Sequence, residues 1–280
     1  MTTTTAEAGP SAAKLPPAKG RAGIGGAIRS EWTKIRTVRS TYWTMLAFIV
    51  VGVGLEAAVC AATASQWSHM RPGEHFAFNP ASLSVRVFAF VGPLILMVLG
   101  ALAITSEYST GMIRTSLTAQ PRRGTVAAAK LVVFTAVAAV LSAVTALASF
   151  FLAQQILAST GRTAALSDPN VPRILVGAIL YVTVLGVMAY AIGLILRHTA
   201  AAIATMAGIL FVLPLVTALL PTDWSNDVVR WLPDSASTAL LSTEGQLPHL
   251  FAAWPQFGVT AGYTVALLIV GAILLHERDA

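Results

Sequence analysis

An all-α polytopic membrane protein with six transmembrane helices is the fold this sequence predicts, and three observations carry it. Hydrophobic residues make up 56% of the 280, charged residues only 11%, and the mean hydropathy is +0.73. That much apolar surface exceeds what a soluble core of this length can hide. The apolar residues also gather into runs long enough to cross hydrocarbon about 30 Å thick, which takes about 20 residues at about 1.5 Å each. Finally, the runs are unbroken, as from Leu131 to Leu152, whereas a membrane β-barrel shows short segments of alternating polarity.

The elements follow in chain order. Residues 1–26 are rich in Thr, Ala, Pro and Gly without an apolar run, a composition that predicts a disordered tail. It lacks the hydrophobic centre of a signal peptide, so the first span is expected to act as its own insertion signal. The membrane domain then occupies 27–280. Between Ala27 and Tyr42 an amphipathic elbow helix is predicted, because Ile28, Trp32, Ile35 and Val38 recur at helical spacing. Trp32, Lys34, Arg36 and Arg39 are its candidate interfacial residues, the bases facing anionic headgroups.

The predicted spans run from Trp43 to Ala62, Val87 to Ile104, Val126 to about Leu157, Ile174 to Leu196, Thr199 to Leu220 and Phe257 to Leu275. Glu56 is the acidic residue set within an apolar run, where a central charge costs about 2.5–3.5 kcal/mol on insertion scales. A place on a substrate path, a helix-to-helix hydrogen bond and a wetted or protonated outer position all fit it. Gln154 and Gln155, near the outer end of the third span, read as solvated interfacial residues, and Pro214 reads as a kink in the fifth. The long outward segment from Pro221 to Pro255 carries Trp224, Trp231 and Trp254. These rings favour the interface, and the segment reads as short helices dipping toward the bilayer or as a surface loop anchored by tryptophans.

A polar interruption from Thr105 to Gly124 separates the second and third spans. Glu107 stands at the inner end of span two, and Gly111 offers a turn. Met112, Ile113 and Leu117 can form the apolar side of a short helix along the membrane surface, which Pro121 stops. Arg122 and Arg123 then hold the chain at the headgroups, with Arg114 before them and Lys130 at the membrane edge.

Basic residues fix the expected orientation, since cytoplasmic loops carry the excess of Lys and Arg. One side holds Lys14, Lys19, Arg21, Arg29, Lys34, Arg36 and Arg39, then Arg114, Arg122, Arg123 and Lys130, then Arg197 and Arg278. The other holds Arg71, Arg86, Arg162, Arg173 and Arg230, offset by Asp223, Asp227, Asp234 and Glu244. Both termini are therefore expected in the cytoplasm of a multi-pass protein of the plasma membrane. Topology also accounts for the net charge of +6 and the pI near 9.9, so nucleic acid is not an expected partner; the lipid bilayer is.

Enzymatic chemistry finds little to build on. The single cysteine, Cys60, lies in the first span and allows no intramolecular disulfide. The sequence has no HExxH pair, Cys–His cluster or GxSxG elbow, so no catalytic and no metal site is expected. The dipeptide Gly-Lys does not occur, which excludes a phosphate-binding loop of the Walker type. Leu241 to Gln246 is superficially similar to a transporter-ATPase signature, but it falls in the outward loop and reads as coincidence.

The pattern E-Y-x-x-G-x-x-R-x-x-L-x-x-x-P-R-R-x-x-x-x-x-x-K from Glu107 to Lys130, preceded by S-E-W-T-K-I-R-T-V-R-S-T-Y-W from Ser30, resembles permease subunits of ABC-2 type transporters, especially actinobacterial ones. The W-L-P-D-S-A-S-T-A-L-L stretch from Trp231 to Leu241 is similar to what that family carries before its last span. The resemblance covers the chain from about Ala27 onward. It implies a permease that pairs with a second copy or a sibling permease and with separately encoded ABC ATPase subunits, which bind the ATP and magnesium, so this chain holds no cofactor of its own. It also implies that the loop between spans two and three is a cytoplasmic coupling helix seated on the ATPase, with Glu107, Gly111, Arg114, Leu117, Pro121, Arg122 and Arg123 as its contact residues and the elbow packed nearby. An exporter is the expected activity. A secondary transporter or another membrane protein working without ATP is the alternative, against which stand the lack of an internal repeat and the presence of Glu56 alone as a mid-membrane charge. The substrate is not legible, because Ala, Val, Leu and Ser line the spans generically.

Overall fold

The computed structural model describes residues 24–37, 39–109, 123–242 and 249–277. Helices account for nearly all of them: α1 (Ile24–Thr37), α2 (Arg39–Gln66), α3 (Pro72–Ala77), α4 (Pro80–Ser109), α5 (Arg123–Leu157), α6 (Val171–Leu196), α7 (Thr199–Thr217), α8 (Thr222–Val229), α9 (Ser235–Leu241) and α10 (Ala253–Glu277). Six of these, α2, α4, α5, α6, α7 and α10, are long and apolar enough to cross a membrane, matching the six runs read from the sequence. Five of the six outlast the apolar runs because backbone hydrogen bonding continues into the polar flanks, α2 beginning at Arg39 and ending at Gln66, whereas α7 ends at Thr217, short of the predicted Leu220, where the chain turns before Pro221.

The expected contact residues Gly111, Arg114, Leu117, Pro121 and Arg122 lie outside the described residues, as does the 1–23 tail. Glu107 falls in the last turn of α4 and Arg123 opens α5.

The sixth helix is the hub, packing against α4, α5, α7, α9 and α10. Its seam with α4 is set by glycines. A Cβ on Gly100 would stand 2.3 Å from the Gly186 carbonyl oxygen, so the two backbones approach as only a residue without a side chain allows. Small-residue seams of this kind hold membrane helices together where lipid removes the hydrophobic drive between them. Tyr190 fills the next layer, stacking on Phe134 at 6.1 Å between centroids and donating its hydroxyl to the Ala127 carbonyl of α5 at 3.0 Å.

The tight α6–α7 turn is built by Arg197, whose left-handed backbone (φ 54°) lets its N–H close on the Gly193 carbonyl. His198 then caps α7, its Nδ1 accepting the Ala201 N–H at 3.2 Å. Within α7, the segment Gly208–Val212 widens to a π-helix just before Pro214. The proline lacks an N–H and its ring crowds the preceding turn, and the wider turn accommodates it, so the expected kink takes the form of a π-bulge.

Aromatic rings mark both ends of the bundle: Trp32, Tyr42 and Trp43 are exposed at one, Trp224, Trp231 and Trp254 at the other. Such belts suit the two membrane interfaces.

Candidate functional site

At the α1 end, a buried charge cluster ties the first helix to the base of α5. Glu31 is only 6% exposed, and its Oε2 accepts from Lys130 Nζ at 2.9 Å while its Oε1 accepts from Lys34 Nζ at 2.6 Å. Lys130 is itself 8% exposed. The face of α1 turned to the protein therefore centres on Ala27 and Glu31, both buried, whereas Trp32, Lys34 and Arg36 face outward and Ile28 and Ile35 lie between. Trp32 and Arg36 are exposed; Lys34 is exposed along its stem but gives its ammonium to Glu31, and the side chain of Arg39 lies outside the described residues. Lys130, read from sequence as an edge residue that sets orientation, is a structural partner, and Glu31 was not legible as its mate. The only local hint is an acid among bases on an amphipathic helix.

Midway along α2, Glu56 is fully buried. Its Oε2 accepts the Phe88 N–H of α4 at 2.9 Å, and its Oε1 has no hydrogen-bond partner among the described residues. Close packing brings the helices together here: a Cβ on Gly52, one turn earlier, would lie 2.7 Å from Thr145 of α5. Of the roles open to Glu56 in the sequence, the helix-to-helix hydrogen bond is the one its contacts display.

At the far end, the stretch after α7 folds into α8 and α9, and polar side chains from three spans hold it. Arg173 of α6 reaches the C-terminal carbonyls of α9, donating to Ala239, Leu240 and Ser242 at 3.3, 3.2 and 2.7 Å. From α10, Gln256 donates to the Arg230 carbonyl at 2.6 Å and Thr260 to the Pro233 carbonyl at 3.2 Å. The Ser82 hydroxyl of α4 bonds the Leu241 carbonyl. Helix C-termini leave carbonyls without intrahelical partners, and a guanidinium with its fork of donors is suited to them. Trp231 packs edge-on against Phe251 at 5.4 Å, so tryptophan anchoring and short helices coexist. Gln154, expected to be solvated, instead bridges α4 and the loop after α5: its Nε2 donates to Ser84 Oγ at 2.7 Å and its Oε1 accepts the Ala164 N–H at 2.8 Å.

Between α3, the start of α4 and α9 opens a cavity of about 590 Å³. Asp234, at the N-cap of α9, does not cap the helix; its carboxylate lines the cavity and accepts from the Tyr181 hydroxyl at 3.4 Å. Burial pushes this carboxyl above the usual carboxylate range, and the tyrosine hydrogen bond offsets part of that rise. Among the described residues, no group of three or more His, Cys, Asp or Glu side chains is arranged to hold a metal ion.

Compared with known families, residues 27–215, well over half of the chain, match the family model described as ABC-2 family transporter protein. The match starts where the elbow was predicted to start and stops within α7. No curated protein matches the chain.

Proposed function

The chain belongs to the ABC-2 family of transporter proteins, and on that premise we propose that it is the permease subunit of an ATP-driven exporter in the plasma membrane, with both termini in the cytoplasm. The observation behind this reading is the family match itself, which takes in α1, the polar segment between α4 and α5, and the spans up to α7. ATP and magnesium belong to a separate ABC ATPase, and a second permease copy or a sibling completes the pathway. Glu107, Gly111, Arg114, Leu117, Pro121, Arg122 and Arg123 form the contact with that ATPase.

The Glu31–Lys130 pair adds a mechanical element. Lys130 stands about two turns into α5, directly after the contact segment, so a push on that segment reaches α1 and α5 together. A transmitted movement shifts the access equilibrium only by what it favours in one state over the other, which a stiff, buried link conveys better than a solvated loop. The stem of α5 then carries the displacement to the α2–α4–α5 contact around Gly52 and Glu56.

Mild-detergent purification of the tagged chain from its native host tests the reading. ATPase activity is expected to co-elute, and Arg114→Glu is expected to reduce it severalfold without altering recovery of the permease. Recovery of self-associated permease alone, together with transport that persists without ATP, would overturn it.

A further inference from the structure

The cavity at the far end of the bundle has a composition of its own. Its polar wall carries Asn79, Ser82, Ser237 and Thr238, and its apolar wall includes Phe78 and Phe90. Three charged side chains line it: Glu74, Arg86 and Asp234.

These charges are not equivalent. Glu74 is exposed and already engaged, its Oε2 accepting the Arg71 N–H at 2.9 Å as the first turn of α3 closes. Arg86 is exposed, on a long arm free to keep its head in water. Asp234 is partly buried, is released from capping α9, and has no cationic partner among the described residues. Its neighbour is the neutral hydroxyl of Tyr181, so a negative charge there is compensated only by a weak hydrogen bond. A partly desolvated carboxylate beside aromatic and aliphatic walls is complementary to a positive head on an apolar body. The hydroxyl oxygens of Ser237 and Thr238 can accept from that head, while Asn79 is occupied in closing the first turn of α4, its Oδ1 accepting the Ala81 and Ser82 N–H groups.

We infer that this cavity is a binding site for a small organic cation, with Asp234 receiving the charged head, the Phe78 and Phe90 side taking the apolar body, and Arg86 at the rim opposing the same charge. The raised carboxyl of Asp234 is consistent, because an arriving cation restores the ionised form that burial disfavours. The site stands on its own geometry and requires neither an ATPase nor a direction of transport.

Three dansyl probes of matched frame test it on the full chain in zwitterionic nanodiscs without nucleotide: the ammonium monodansylcadaverine, neutral dansylamide and anionic dansylglycine, each followed by fluorescence titration. Monodansylcadaverine is expected to bind about ten-fold tighter than dansylamide, the scale of one charge-assisted contact. Asp234→Asn is expected to bring the two to parity, and Arg86→Gln to tighten the cation severalfold by removing a like charge. Because Arg86 is exposed, that variant keeps the fold and decides the matter even where Asp234→Asn does not. A preference for dansylglycine, equal binding of all three, an unchanged cation preference in Asp234→Asn, or weaker cation binding in Arg86→Gln would overturn the inference. The absence of an ATPase partner leaves each of these outcomes as it stands.

Discussion

Two adjacent helices of nearly equal hydropathy meet opposite environments. In the most apolar stretch of α6, 72% is buried in protein, while in that of α7 only 17% is. Hydropathy measures escape from water, and both helices have escaped it; it does not say whether lipid or protein replaces the water. What separates them is the material for close contact. The α6 helix brings Gly177, Gly186 and Gly193 against side chains of α9 and α4, and two buried tyrosines with hydrogen-bond partners. In α7, Gly208 meets nothing, a π-bulge interrupts the stripe, and Leu213, Leu215 and Val216 remain exposed, a face suited to lipid or to a second permease copy. Buried membrane helices are thus distinguished by small residues and polar anchors rather than by apolarity.

Substitutions can break or sharpen that contrast. The largest effect is expected where burial meets charge: Lys130→Met takes from the Glu31 carboxylate its buried partner, leaves it the half-exposed Lys34, and should cost about 3–4 kcal/mol, seen as a lower melting temperature and release of α1 to proteolysis. Next comes a pair of identical changes. Gly100→Ala drives a methyl into the Gly186 carbonyl and should cost about 3 kcal/mol, whereas Gly208→Ala enters open space and should leave melting unchanged or slightly raised. Equal losses from both would mean that the hub and the peripheral helix are not distinct. Arg173→Gln removes the clamp on α9 and should cost about 2 kcal/mol, with faster hydrogen exchange across Ser235–Leu241 than across α10.

A smaller effect depends on pH. Since burial raises the folded Asp234 carboxyl above its unfolded value, the stability of the neutral form is fully present below about pH 4 and is lost as pH rises through the folded value. Melting curves of Asp234→Asn against pH should lack that decline. Smallest of all, Leu215→Ala on the exposed face of α7 should change stability by less than about 0.5 kcal/mol; a larger loss in the permease at assembly concentration, vanishing on dilution, would identify that face as a subunit contact.

The six spans were legible because each is a local property of about 20 consecutive residues. A helix before the first span was legible for the same reason, through its 3.6-residue period, although the face it buries centres on Ala27 and Glu31 rather than on Trp32. Pairings between distant residues were not. Nothing local marks Glu31 as the partner of Lys130, 99 positions away, or Arg173 as the cap of a helix 66 to 69 positions on. Both arginine and lysine carry a strong topological meaning in sequence, which masks their second use as structural donors. Gln154 was misread for a related reason: an amide near a span end looks solvated until the loop that covers it is placed. The candidate contact residues were named from the polar segment and its resemblance, and most of them lie outside the described residues, so their assignment rests on sequence and family together.

The most direct measurement places one of them. In a Cys60→Ala background, Arg114→Cys is labelled from either side of sealed membranes and treated with a short thiol crosslinker. Cys60 is fully buried in α2, so its loss removes background reaction only. The expected result is protection from an impermeant reagent added outside, labelling from within, and a crosslink to an ABC ATPase that nucleotide alters. Labelling from outside, or labelling from within with no ATPase crosslink, would contradict the permease assignment of this segment.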